Sequence, residues 1–260
     1  MKCNACKKYN IKNNERKYGK NADPRLIDII ENMDKMTIGL DDEFEFGCRA
    51  CGECCTNRTD ILLNPKDIYN IAKELGREAK EIIESYCESY IGGTSRLPVV
   101  RLRAVGSDKH CPLLSDGKCS VHKSKPTVCA LFPLARAFRV DDDGKVMPGD
   151  VTYLLQPSGC NYKKEKHTVR QWLTNFDIPI EDQYYADWSN LINELSQKLR
   201  ELEKKLDKEI MNLLYSTVAI RLYYNYDISR DFEIQFKENA ERALEVVNTV
   251  YENHKENKDE

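Results

Sequence analysis

The 260-residue sequence has no apolar run of the roughly eighteen residues that a membrane helix needs. Its opening stretch, Met1-Lys2-Cys3-Asn4-Ala5-Cys6-Lys7-Lys8, carries no apolar secretory core. Both absences predict a soluble, cytoplasmic protein with no membrane partner. A strong basic field is missing too. The chain sets 40 Lys and Arg against 43 Asp and Glu, a net charge of −3, so nucleic acid is not an expected partner. No G-x-G occurs, which excludes a glycine-rich dinucleotide loop or a Rossmann-type methyl-donor loop, and there is no P-loop. Asp141-Asp142-Asp143 lacks the ligand series of an EF-hand and reads as a solvated turn. No Ser/His/Asp set or carboxylate pair stands out as catalytic machinery.

What the sequence does hold is cysteine, eleven in all. Cys48, Cys51, Cys54 and Cys55 form one C-x-x-C-x-x-C-C run, and Cys111, Cys119, Cys129 and Cys160 follow at wider intervals. In a reducing compartment such a set favours metal over disulfides. A C-x-x-C turn folds two sulfurs toward one ion, and a third step of the same length makes a tripod that also holds iron–sulfur clusters. Cys54 and Cys55 are adjacent, so their side chains are expected to diverge, one of them serving a second metal or another vertex of a cluster. Two zinc ions, a 4Fe–4S cluster with a further metal, or a binuclear site all satisfy the spacing. The third Cys step favours iron, with zinc close behind. Removal of the metal is then expected to melt residues 46–160. Cys51-Gly52-Glu53-Cys54 also has the spacing of a thiol oxidoreductase, though the surrounding thiols favour metal capture.

Periodicity gives the frame. Residues 1–45 read as a polar lead-in with an amphipathic stretch from Leu26 to Met36 and a lone C-x-x-C at Cys3 and Cys6. Thr59 to Leu63 reads as a short buried strand. Asn64-Pro65 with Asp67 in the first turn predicts a helix ending at Gly76. A second helix is predicted from Glu78 to Tyr90, with Cys87 on its apolar stripe as a core thiol rather than a ligand. Leu97 to Val105 is β-like. Hairpins are predicted around Asp116-Gly117, which would bring Cys111 and Cys119 side by side, and around Asp142-Asp143-Gly144. Val151 to Leu155 reads as a further strand. Helices are predicted from Thr168 to Phe176, anchored by Trp172, from Gln183 to Tyr224, and from Ser229 to Tyr251. The second of these buries Leu191, Leu195, Leu199, Leu202, Leu206, Ile210 and Leu213, with Glu194–Lys198 and Glu201–Lys205 as supporting pairs. Such stripes serve packing on the metal domain or self-association equally. His110 and His122 are candidate replacements for a sulfur ligand, although His122 reads first as filling the aromatic position close to Cys119; His167 and His254 read as surface residues.

The run Phe46-Gly47-Cys48-Arg49-Ala50-Cys51-Gly52-Glu53-Cys54-Cys55 resembles the signature of the YkgJ-type cysteine-cluster family. So do Cys111-Pro112-Leu113-Leu114, Cys119-Ser120-Val121-His122 and Lys125-Pro126-Thr127-Val128-Cys129-Ala130-Leu131-Phe132-Pro133. His122, Lys125 and Ala130 stand where that family has Tyr, Arg and Arg; the thiols are intact. The resemblance covers residues 46–162 and implies a zinc- or iron-chelating domain. The same domain class includes the flagellin lysine N-methylases, which use S-adenosylmethionine, so it also permits an enzyme. The expectation is an α+β protein: a polar lead-in (1–45), a small cysteine-rich metal-binding domain of short strands and hairpins (46–165), and a helical C-terminal extension (166–260). Cys48, Cys51, Cys54, Cys55, Cys111, Cys119, Cys129 and Cys160 are the expected metal ligands. Iron–sulfur or zinc fills a structural or redox role. The alternative is an S-adenosylmethionine-dependent protein lysine N-methyltransferase built on the same cluster, with a protein as substrate or partner.

Overall fold

The computed structural model describes residues 31–48, 51–158 and 165–254. Cys3, Cys6, Cys160 and residues 26–30 of the Leu26–Met36 stretch lie outside them, while 31–36 are helical. In chain order the described elements are β1 (Thr37–Ile38), β2 (Glu43–Phe46), β3 (Leu62–Leu63), α1 (Pro65–Leu75), α2 (Ala79–Tyr86), β4 (Cys87–Ile91), β5 (Pro98–Leu102), β6 (Leu114–Ser115), β7 (Lys118–Cys119), α3 (Thr127–Leu131), β8 (Leu134–Val140), β9 (Val146–Leu155), β10 (Glu165–Thr168), α4 (Val169–Asn175), α5 (Gln183–Leu202), α6 (Lys208–Ala219), a π turn (Ile220–Tyr224) and α7 (Phe232–Asn253). Short antiparallel sheets and helices mix, so the fold is α+β. The chain divides into two units, each gathered from separate stretches of sequence.

One unit takes in 31–48, 131–139 and the described part of 150–180. In β2 the residues alternate: Glu43 and Glu45 face out, Phe44 and Phe46 are buried. That period of two is what a half-buried strand requires. β10 pairs with β2 antiparallel, Glu165 opposite Phe46 and Thr168 opposite Glu43. β1 pairs with β9, Thr37 opposite Leu154. Trp172 on α4 is the anchor, as expected. Its ring meets Phe44, Phe46 and Phe176 edge-on, and its indole N–H donates to the Leu131 carbonyl at 3.1 Å. His167 is a correction. It is half-buried rather than at the surface, 5.0 Å from the Trp172 ring, with Nε2 3.2 Å from the Phe46 carbonyl. β9 is also one strand from Val146 to Leu155, where the sequence suggested two.

The other unit takes in the described part of 50–130 with 140–149 and 181–254. Its core is the larger one, built from α1, α2, the β3–β5–β4 sheet, α5, α6 and α7. α1 starts as its sequence predicts. Asn64 accepts from the Asp67 N–H at 2.9 Å, and Asp67 accepts from the Asn64 N–H at 3.1 Å, a reciprocal capping box. Gly76, at φ +62°, ends it. Two predicted helices end early. α2 stops at Tyr86, and Cys87–Ile91 becomes a strand paired with β5, Cys87 opposite Leu102. The helix predicted to Tyr224 breaks after Leu202 and resumes at Lys208. The Glu194–Lys198 pair forms at 2.5 Å, whereas Glu201 accepts from the Tyr251 hydroxyl instead of pairing with Lys205. Among the described residues no helix is long and apolar enough to cross a membrane.

Candidate metal centre

The cysteine run is shaped by Gly52. Its φ of +74° is left-handed, a conformation glycine adopts without strain. It lets the chain turn sharply after Cys51 into a single 3₁₀ turn, Glu53–Cys55, closed by the Cys55 N–H on the Gly52 carbonyl at 2.9 Å. The chain then runs beside the second half of the motif, and three backbone bonds zip the two together. Asn57 N–H donates to Asp108 O at 2.9 Å, Arg58 N–H to Lys109 O at 3.2 Å, and Cys111 N–H to Cys55 O at 2.7 Å. Cys111 stands just before the β6–β7 hairpin, where Leu114 lies opposite Cys119. Asp116 and Gly117 take φ of +50° and +73°, the primed turn predicted from Asp-Gly. Cys129 rides on α3.

The result is a gathering of thiols. Cys54, Cys55, Cys111, Cys119 and Cys129 all lie within electrostatic reach of others in the set. Cys54 and Cys55 are in hydrogen-bond contact, sulfur to sulfur 3.8 Å. That bond pulls Cys54 down to about 6, helped by the positive charges of Arg58 and Lys125, and the same bond pushes Cys55 up. Burial raises Cys111, Cys119 and Cys129, the last to about 12.

The pair separation corrects the expectation that neighbouring thiols diverge. Four sulfurs at about 2.3 Å from a tetrahedral ion are about 3.8 Å apart along each edge. Cys54 and Cys55 already stand at that edge length. Among the described residues, however, no group of three or more His, Cys, Asp or Glu side chains forms a finished metal-holding set. The donors are soft sulfurs, which fit zinc or iron, and one pair fits in spacing as well.

The remaining expected residues fall as follows. Cys51 is exposed beside Gly52, Cys48 is exposed in the first unit just past β2, and Cys160 lies outside the described residues. Cys87 is buried in the core. The Nδ1 of His110 is 2.7 Å from Asp108 Oδ1, and His122 is exposed. Sequence reading missed Arg58, and gave Lys125 only as a departure from a pattern. Both lie near the thiols as positive charge, with no spacing rule to announce them.

The model of the CxxCxxCC family, described as a putative zinc- or iron-chelating domain, matches residues 47–173. That is the cysteine-cluster family which residues 46–162 resemble. No curated protein and no solved structure matches the chain.

Proposed function

We propose, on the match of residues 47–173 to the CxxCxxCC family, that the chain holds iron or zinc on its cysteine thiolates in a structural or redox role. The observation that carries the reading is the gathering of Cys54, Cys55, Cys111, Cys119 and Cys129, with the Cys54–Cys55 pair at 3.8 Å. Cys48, Cys51 and Cys160 enter as ligands from the sequence run alone. The chain's own part is to bring the sulfurs together, through the Gly52 turn and the 55–58/108–111 backbone zipper, and to give up their protons. Cys54 parts with its proton most readily; Cys55, Cys111, Cys119 and Cys129 keep theirs until an ion displaces them. A bound ion or cluster supplies crosslinking and, if it is iron–sulfur, electron transfer. A reducing, cytoplasmic setting suits free thiols of this kind.

Elemental analysis and an absorption spectrum of protein purified without oxygen test the reading. Iron with broad visible absorbance assigns a cluster, and a colourless protein with stoichiometric zinc assigns zinc. A fully folded protein with neither metal overturns it. The S-adenosylmethionine-dependent lysine N-methyltransferase alternative rests on the resemblance alone, and saturable binding of the donor to the same preparation tests it.

A further inference from the structure

We infer that Asp67 is a positioning residue for Cys129, acting through Thr127 to fix the first turn of the helix that carries the thiol. The inference deepens the metal reading above and rests on it, since Cys129 is one of the proposed ligands. α3 is five residues long. A helix of that length does not sustain its own register and depends on partners outside it. Within it, the N–H groups of Cys129 and Ala130 both turn back to the Pro126 carbonyl, at 2.8 and 2.9 Å. The Thr127 N–H is an orphan donor of the helix start. It donates to Asp67 Oδ1 at 2.8 Å, and the Thr127 hydroxyl donates to the same oxygen at 2.7 Å.

Asp67 itself is only 4 % exposed. A carboxylate that deep is unfavourable unless hydrogen bonds replace its water. Here one oxygen holds α3 while the other accepts from the Asn64 N–H at the start of α1. A negative group at two helix starts is also favoured by both dipoles. The chain of bonds continues outward. Asn64 Oδ1 accepts from the Tyr184 hydroxyl at 3.1 Å, and that hydroxyl oxygen accepts from the Lys66 N–H at 3.2 Å. Tyr184 belongs to α5, so the α1 cap is tied to the helical core, while Asp67 Oδ1 reaches Thr127 without passing through Asn64. Asp67 also lies close enough to act on Cys129 electrostatically.

A plain capping role for Asp67 would affect α1 and nothing else, which separates the two roles by experiment. Thr127→Val removes the hydroxyl at the α3 end and leaves the α1 cap intact. Asn64→Ala removes the α1 cap and leaves both Asp67–Thr127 bonds. Protein purified without oxygen, stripped and titrated with zinc against a chromophoric chelator, gives the affinity; cobalt(II) in its place reports thiolate ligation through its charge-transfer absorbance. Thr127→Val is expected to weaken zinc about tenfold and Asp67→Ala up to about a hundredfold, with cobalt–thiolate absorbance reduced. Asn64→Ala is expected to lower the Tm and leave zinc affinity unchanged. Thr127→Val with wild-type affinity, or Asn64→Ala weakening zinc as much as Thr127→Val does, overturns the inference while the metal reading stands. A wild-type protein that holds no iron as purified and takes up neither zinc nor cobalt overturns both.

Discussion

At Gly52 the φ of +74° lies where an L side chain is strained by about 1–2 kcal/mol. The strain is in the backbone, because an added Cβ would meet Gly117 O and the Leu114 side chain at 3.5 Å, ordinary contact distance. Gly52→Ala is therefore expected to lower stability by about 1 kcal/mol in chemical denaturation, and to weaken metal binding by relaxing the turn that presents Cys54 and Cys55. Unchanged stability would mean that the left-handed turn is not required. The C-x-x-C spacing announced that turn; the closeness of Cys54 and Cys55 was not legible, because a bare Cys-Cys pair does not say whether its backbone is extended or wound. Cys87 gives a different residue-scale prediction. Burial pushes its thiol up to about 12, from an unfolded value of about 9. Below pH 9 the thiol is neutral in both states. Above it the unfolded chain releases the proton first, so this contribution to stability is lost as pH rises from about 9 towards 12. The loss of Tm across that window is expected to be smaller in Cys87→Ala than in the parent protein, and equal losses would remove Cys87 as a cause.

Among elements, the legible ones are those that carry their own punctuation. Asn64-Pro65-Lys66-Asp67 and Gly76 fix both ends of α1, and Asp116-Gly117 fixes the β6–β7 turn, without help from distant residues. The misread ones lack such marks. Ala79, Ile82, Ile83 and Tyr86 make a true helical stripe, and Cys87 and Tyr90 happen to extend it. The free side of β5 captures 87–91 instead, a tertiary pairing that overrides local periodicity. The break after Leu202 has no Gly or Pro either; its one sign is Asp207, the extended N-cap of α6. That break changes which face points inward. Leu213, expected in the core, is 70 % exposed, while its neighbour Leu214 is 4 % exposed. Leu214→Ala is expected to destabilise by about 2–5 kcal/mol and Leu213→Ala by less than about 0.5 kcal/mol. Denaturation curves of the two variants decide it: the reverse order would restore the unbroken helix.

For the whole molecule, the cysteine run announced a metal chemistry because ligand spacing is local, whereas the pairing of β2 with β10 leaves no local trace and had to be seen. The packing also narrows what metal removal should do. α1, α2 and the β3–β5–β4 sheet lie within 46–160, yet they share one apolar core with α5, α6 and α7. Ile68, Ile71, Ile82, Leu195, Leu199 and Leu202 are fully buried there, and none of them touches on the question of which thiols are ligated. A structural zinc contributes on the order of 10 kcal/mol where it is the chief organiser of a small domain. Here the ion would organise the loops that carry the thiols, 51–58 and 108–129, and the apolar core would persist without it. Chelation is accordingly expected to leave most far-ultraviolet circular dichroism in place, while amide exchange quickens in 51–58 and 108–129 and remains slow in α5 and α7. Loss of protection throughout α1, α5 and α7 on chelation would show that the apolar core depends on the ion after all, as the sequence alone suggested for 46–160.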